Sequence, residues 1–120
     1  MRSLFGGGRA SCDYMITKDL YDQLKAENRL YVLRERMSPK DEKSICAVFK
    51  TSEPFLKDAL LTEKDLKESK KISNDLAILL QEASELFLAK KLGATLVMSQ
   101  RQVWLERAAQ KYGAKTMIFR

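Results

Sequence analysis

GATLVMSQRQVWLERAAQKYGAKTMIF, residues Gly93–Phe119, decides the fold. Ala94-Thr95-Leu96-Val97-Met98 is a short apolar run bounded by Gly93 and Ser99, and it reads as a buried strand. Ser99 with Gln102 makes a capping box stapled by Met98 and Val103, which opens a helix over 100–112. That helix is expected to bury Val103, Trp104, Ala108 and Tyr112 and to stop at Gly113, a residue free to take the left-handed conformation. Lys115-Thr116-Met117-Ile118-Phe119 then reads as a second strand. Strand, helix and strand joined by connections this short form a compact unit on one sheet, which predicts an α/β fold. The competing architecture is an all-α helical bundle, in which residues 62–120 contain only helices.

Upstream, Ile72, Leu76, Leu79, Leu80, Ala83, Leu86 and Phe87 recur at helical spacing, and Gly93 follows. The pattern predicts one amphipathic helix over 73–92, with Asp75, Glu82, Glu85 and Lys90 off its apolar stripe. Lys90 and Lys91 fall in its last turn, where cations complement the helix dipole. Thr62 with Asp65 is a further capping box, and Lys57–Leu61 fits a short strand or a helical turn.

In the first half, Tyr14–Ile16 reads as a strand and Thr17 as the N-cap of a helix over 18–28, with Asn28 as its stop. Leu30–Met37 and Ser44–Thr51 flank a polar loop containing Pro39, the pattern of an antiparallel hairpin. Continuation of the helix from 18 through this run, or a Ser38 cap with Pro39 at the first helical position, is the rival. The expected architecture is a single small mixed sheet with flanking helices. Residues 1–12 are expected to form a flexible basic N-terminal arm and 13–120 one globular domain.

Composition narrows the chemistry. The chain has 120 residues and no His, so Ser-His-Asp and Cys-His catalysis and imidazole metal sites are excluded. No metal cofactor is expected. Cys12 and Cys46 fit no CxxC pattern and are read as two free thiols in a reducing cytoplasm, with a single disulfide as the alternative. The longest apolar runs fall far short of the roughly 20 residues a membrane helix needs, so no membrane association is expected. Net charge is +6, and residues 93–120 hold five of the basic side chains (Arg101, Arg107, Lys111, Lys115, Arg120) against one acid, Glu106.

The order of elements, the amphipathic helix ending in Gly93 and the helix ending in Tyr112-Gly113 resemble a reduced acyl-CoA-dependent N-acetyltransferase, of the kind some small bacteriophage proteins carry. Lys71 falls where that family has its Arg, and Ser73 and Asn74 occupy the turn that holds the cofactor pyrophosphate. The resemblance implies acetyl-CoA as cofactor, with Lys71, Ser73 and Asn74 on the pyrophosphate. The backbone of a splayed strand near Leu60 and Leu61 would take the pantetheine. Glu35, Glu53 and Glu63 are candidates by position for the general base. Ala109 stands where the family has the Tyr that protonates the leaving thiolate, so the resemblance implies an acetyltransferase-like protein and leaves catalysis open.

The alternative function is a small basic module that binds nucleic acid through Arg101, Arg107, Lys111 and Lys115, or that binds a protein partner or a second copy of itself. The expected location is the cytoplasm, that of the host for a phage protein.

Overall fold

A computed structural model describes residues 11–100 and 102–120. In chain order the elements are β1 (Tyr14–Ile16), α1 (Lys18–Ala26), α2 (Leu30–Met37), a single 3-10 turn (Pro39–Asp41), β2 (Ile45–Ala47), β3 (Leu56–Asp58), α3 (Glu63–Leu76), α4 (Leu80–Leu92), β4 (Thr95–Met98), α5 (Val103–Tyr112) and β5 (Lys115–Ile118). The fold is α/β, with one sheet and flanking helices, not an all-α bundle. The strands lie in the order β3-β2-β1-β4-β5. Every pairing is parallel, with Met15 beside Cys46 on one side and beside Leu96 on the other.

A parallel sheet cannot contain the expected hairpin, because parallel neighbours need a crossover of a dozen or more residues. Leu30–Met37 supplies part of that crossover as α2 and buries Leu33 and Met37, four residues apart, on one helical face. The 3-10 turn at Pro39 follows, with no side-chain cap from Ser38, whose hydroxyl is taken by the Lys43 carbonyl. The sheet is therefore parallel throughout rather than mixed.

Helices cover both faces of the sheet. On one face Ile16, Ile45, Ala47 and Val97 pack with Leu20, Leu24, Leu33 and Met37 of α1 and α2. On the other, Met15, Cys46, Leu96 and Met98 pack with Leu86, Leu88 and Ala89 of α4 and with Leu105, Ala108 and Ala109 of α5. All three residues of β2 are buried, as a central parallel strand covered on both faces requires.

The helix starts follow local chemistry. The Thr17 hydroxyl accepts the Leu20 N–H at 3.2 Å. Thr62 and Asp65 make the expected reciprocal box, with Asp65 N–H on Thr62 Oγ1 at 3.1 Å and Thr62 N–H on Asp65 Oδ2 at 3.0 Å. The helix expected over 73–92 is instead two helices. α3 ends at Ala77, which is left-handed (φ 53°), with Ile78 N–H returning to the Ser73 carbonyl at 3.1 Å. α4 and α5 end the same way: Ala94 N–H reaches the Ala89 carbonyl past Gly93, and Ala114 N–H reaches that of Ala109 past Gly113. All three are Schellman turns, two on the expected glycines and one on an alanine.

Burial also departs from the expected stripes. α4 buries Ala83, Ser84, Glu85, Leu86, Leu88, Ala89 and Leu92, so apart from its first turn it is enclosed nearly all round, while Leu79 and Leu80 stay exposed. α5 starts at Val103 with no side-chain cap, so the Ser99–Gln102 box does not form. Its inward face is Leu105, Ala108 and Ala109, which turns Val103 and Trp104 to solvent. Of the arm expected at 1–12, residues 1–10 lie outside the described residues, and Cys12 is buried in the core.

Candidate functional site

The strand order fixes where a ligand can enter. From β1 the chain runs toward β2 and β3, whereas from β4 it runs toward β5, so β1 and β4 part at the carboxyl edge of the sheet. Such a switch point leaves a crevice outside the strand ends, and open α/β sheets bind ligands there. Here the crevice has a volume of about 120 Å³. Thr17 and Asp19 reach it from the end of β1 and the first turn of α1. Met98 and Ser99 come from β4, and Gln102 and Leu105 from the start of α5. Leu79, Gln81, Glu82 and Glu85 close it from the start of α4.

Glu85 is the unusual member. The residue is only 3% exposed, and its Oε2 accepts the backbone N–H of Lys18 at 2.9 Å. Burial pushes its carboxyl up to about 7, against the pull of the Lys18 and Gln81 hydrogen bonds, and the negative charges of Asp19 and Glu82 add to the rise. Glu82 works as a strut. Its Oε1 accepts the Leu79 N–H at 2.9 Å, half of a capping box, and its Oε2 accepts the indole N–H of Trp104 at 3.2 Å. A perturbed carboxyl in a crevice at a switch point marks a candidate functional site. Among the described residues, no group of three or more Asp, Glu or Cys is placed to hold a metal ion.

Beside the crevice, α5 presents a second chemistry. Trp104, Arg107 and Lys111 are spaced by three and four residues and share its outer face, all exposed. Lys115 is exposed on the edge strand β5. Lys90 is engaged nearby, donating to the Tyr112 carbonyl at 2.8 Å with its ammonium 4.6 Å from the Tyr112 ring centre.

Of the residues expected to bind nucleic acid, Arg107, Lys111 and Lys115 are thus exposed, and Arg101 lies outside the described residues. The five expected for acetyl-CoA fall on different elements. Leu60 is exposed after β3, and Leu61 lines a 230 Å³ groove with Lys18, Val48, Phe49, Gln81 and Ser84. Lys71, Ser73 and Asn74 lie in the C-terminal half of α3 rather than at a helix start. Lys71 pairs with Glu68, and the Ser73 hydroxyl donates to the Ile78 carbonyl at 2.6 Å. Glu35, Glu53 and Glu63 sit on α2, on the loop before β3 and at the start of α3, and none of them lines the crevice.

Sequence reasoning missed Asp19, Glu82, Glu85, Ser99 and Gln102 as a set. The usable signal was positional and covered Asp19, Ser99 and Gln102, polar residues soon after two strands, which matter once those strands are known to be parallel neighbours; Glu82 and Glu85, on α4, carried no such mark. No protein-family model, curated protein or solved structure matches the chain. Among the described residues, no helix is long and apolar enough to cross a membrane.

Proposed function

We propose that this chain is a single-strand nucleic-acid-binding module that lays the sugar-phosphate backbone along the outer face of α5 and turns a base toward the crevice. The observation that carries the reading is the alignment of Trp104, Arg107 and Lys111 on one exposed helix face, with Trp104 hydrogen-bonded to Glu82 at the crevice wall. A Trp ring that is 59% exposed offers a flat apolar surface, and base stacking on such a ring contributes about 1–3 kcal/mol. Arg107, Lys111 and Lys115 supply phosphate contacts. The carboxylates of Asp19 and Glu82 repel phosphate from the crevice, which orients the strand with its bases inward. Ser99, Gln81 and Gln102 add hydrogen-bonding groups there.

The test is titration of a labelled single-stranded oligonucleotide at several salt concentrations, followed by anisotropy and by Trp104 fluorescence. The expected result is quenching of Trp104 and a log–log salt slope of about −2, the value for three phosphate contacts on a single strand. No binding at low salt, or binding indifferent to salt, overturns the reading. The acyl-CoA alternative rests on the resemblance and on Leu61 at its groove. Acetyl-CoA titrated in parallel separates the two, since only that alternative expects it to raise the melting temperature.

A further inference from the structure

Three carboxyl groups line the crevice, and two of them are committed within the fold. Both oxygens of Glu82 are occupied, one by the Leu79 N–H and the other by the Trp104 indole. Glu85 is buried and accepts the Lys18 N–H. Asp19 differs. It stands exposed in the first turn of α1 and makes no hydrogen bond or ion pair among the described residues. The remaining lining divides by chemistry. Leu79, Met98 and Leu105 are apolar, and the side chains of Ser99 and Gln102 are engaged by no described residue. At about 120 Å³ the crevice is well below the roughly 300–1,000 Å³ that enclose a whole drug-sized ligand, so it takes one ring system rather than an entire nucleotide.

A carboxylate offers two acceptor oxygens side by side and no donor, and this selects among bases. Guanine alone of the common bases carries two adjacent donors on its pairing edge, N1–H and the 2-amino group. They face the two oxygens of one carboxylate, and charge-assisted contacts of this bidentate kind are the strong ones. Adenine and cytosine each set one amine beside a ring-nitrogen acceptor, so the second oxygen would meet a lone pair. Uracil and thymine set a single N–H between two carbonyls. The guanine carbonyl at C6 needs a donor, and Ser99 Oγ and Gln102 Nε2 offer one from the β4 side of the crevice, facing Asp19 on the β1 side. Single-stranded bases are open to this kind of reading because their pairing edges are free.

We propose that the crevice reads guanine, with the Asp19 carboxylate accepting N1–H and the 2-amino group of a base turned in from a strand on α5. The proposal rests on the single-strand reading and adds base selection to it. Leu79, Met98 and Leu105 give the ring its apolar walls, and Trp104 stacks a neighbouring base outside.

The experiment titrates the full-length chain with short single-stranded oligothymidines that carry one central guanine, hypoxanthine, adenine or cytosine, or none, and reads anisotropy. Guanine is expected to bind about tenfold or more tighter than the unsubstituted oligomer. Hypoxanthine, which lacks the 2-amino group, is expected to lose most of that gain. Asp19→Asn replaces one acceptor by a donor. It is expected to abolish the guanine preference and to create one for xanthine, whose C2 carbonyl accepts the new amide N–H while its N1–H keeps the amide oxygen. Affinities are compared as ratios to the unsubstituted oligomer within each variant, so a general change in binding cancels. A role of Asp19 in helix stability alone would not exchange one base for another. Salt-dependent binding with equal affinity for all bases, or a preference for adenine or cytosine, overturns the proposal and leaves the single-strand reading standing. A guanine preference that survives in Asp19→Asn also overturns it. No binding of any oligomer at low salt overturns both.

Discussion

The backbone N–H of Lys18 donates to Glu85 Oε2 at 2.9 Å, which ties α1 on one face of the sheet to α4 on the other, across the end of β1. The carboxyl that makes this tie titrates at about 7 rather than in the ordinary range. The folded chain therefore holds a proton that the unfolded chain releases between about pH 4.5 and 7, and stability falls as pH rises through that window and is level above it. The contribution is about 3 kcal/mol. Glu85→Gln keeps an acceptor for Lys18 and removes the charge. We expect it to raise stability at pH 8 by about 1–3 kcal/mol and to flatten the slope between pH 5 and 7, as measured by urea midpoints.

Asp65 behaves in the opposite sense. Burial raises its carboxyl, but the Lys91 ammonium 2.7 Å away and the Thr62 hydrogen bonds outweigh that and hold it well below the usual carboxylate range. Its contribution is complete above the unfolded value near 4 and is lost as pH falls through the lower folded value. Lys91→Met removes the charge that offsets the burial of Asp65, which is 1% exposed. We expect a loss of about 1–3 kcal/mol at pH 7, measured by chemical denaturation, and a weaker acid dependence below pH 4.

Ala77 carries a backbone conformation that suits glycine, at φ 53° and ψ 48°. Ala77→Gly relieves the Cβ clash of the left-handed region and gives back part of the gain as unfolded-state entropy. The expected net is stabilisation by up to about 1 kcal/mol, seen as a higher melting temperature. Gly93→Ala has no neighbour within 4 Å of the added Cβ, so its cost is that of the left-handed conformation alone, about 1 kcal/mol.

On the proposed binding face, Arg107→Ala and Lys111→Ala should each lower the salt slope of oligonucleotide binding by about 0.7. Trp104→Ala should weaken binding without changing that slope, because stacking releases no counterions. Glu82→Gln keeps an oxygen for the indole and removes a negative charge at the crevice wall, so affinity should rise. Anisotropy titrations of the four variants at matched salt check these outcomes.

What could be read from the residues was whatever local chemistry fixes. Thr17, the Thr62–Asp65 box, Gly93 and Gly113 mark helix ends through their own hydrogen bonds or dihedrals, and they fall where the sequence puts them. Ala77 gives no such mark, and Leu79 and Leu80 carry the apolar rhythm across the break, so two helices read as one. Leu30–Met37 has an apolar pattern that serves either helix or strand, and only the parallel partnership of β1 and β2 decides between them. The basic residues of α5 were legible as charge. The exposure of Trp104 follows from an inward face of Leu105, Ala108 and Ala109, where the apolar pattern puts Val103, Trp104 and Ala108. The crevice was hidden for a different reason. It exists only once β1 and β4 are neighbours, and the partner of buried Glu85 is a backbone N–H far away in the chain.

The five strands are only three or four residues long. A ladder that short cannot outlast the helices that cover it, and neither helical layer has a hydrophobic floor without β1 and β4 at the centre. Melting should accordingly be all-or-none, with the two layers failing at one temperature, and a lesion on either side of the sheet would be felt on the other.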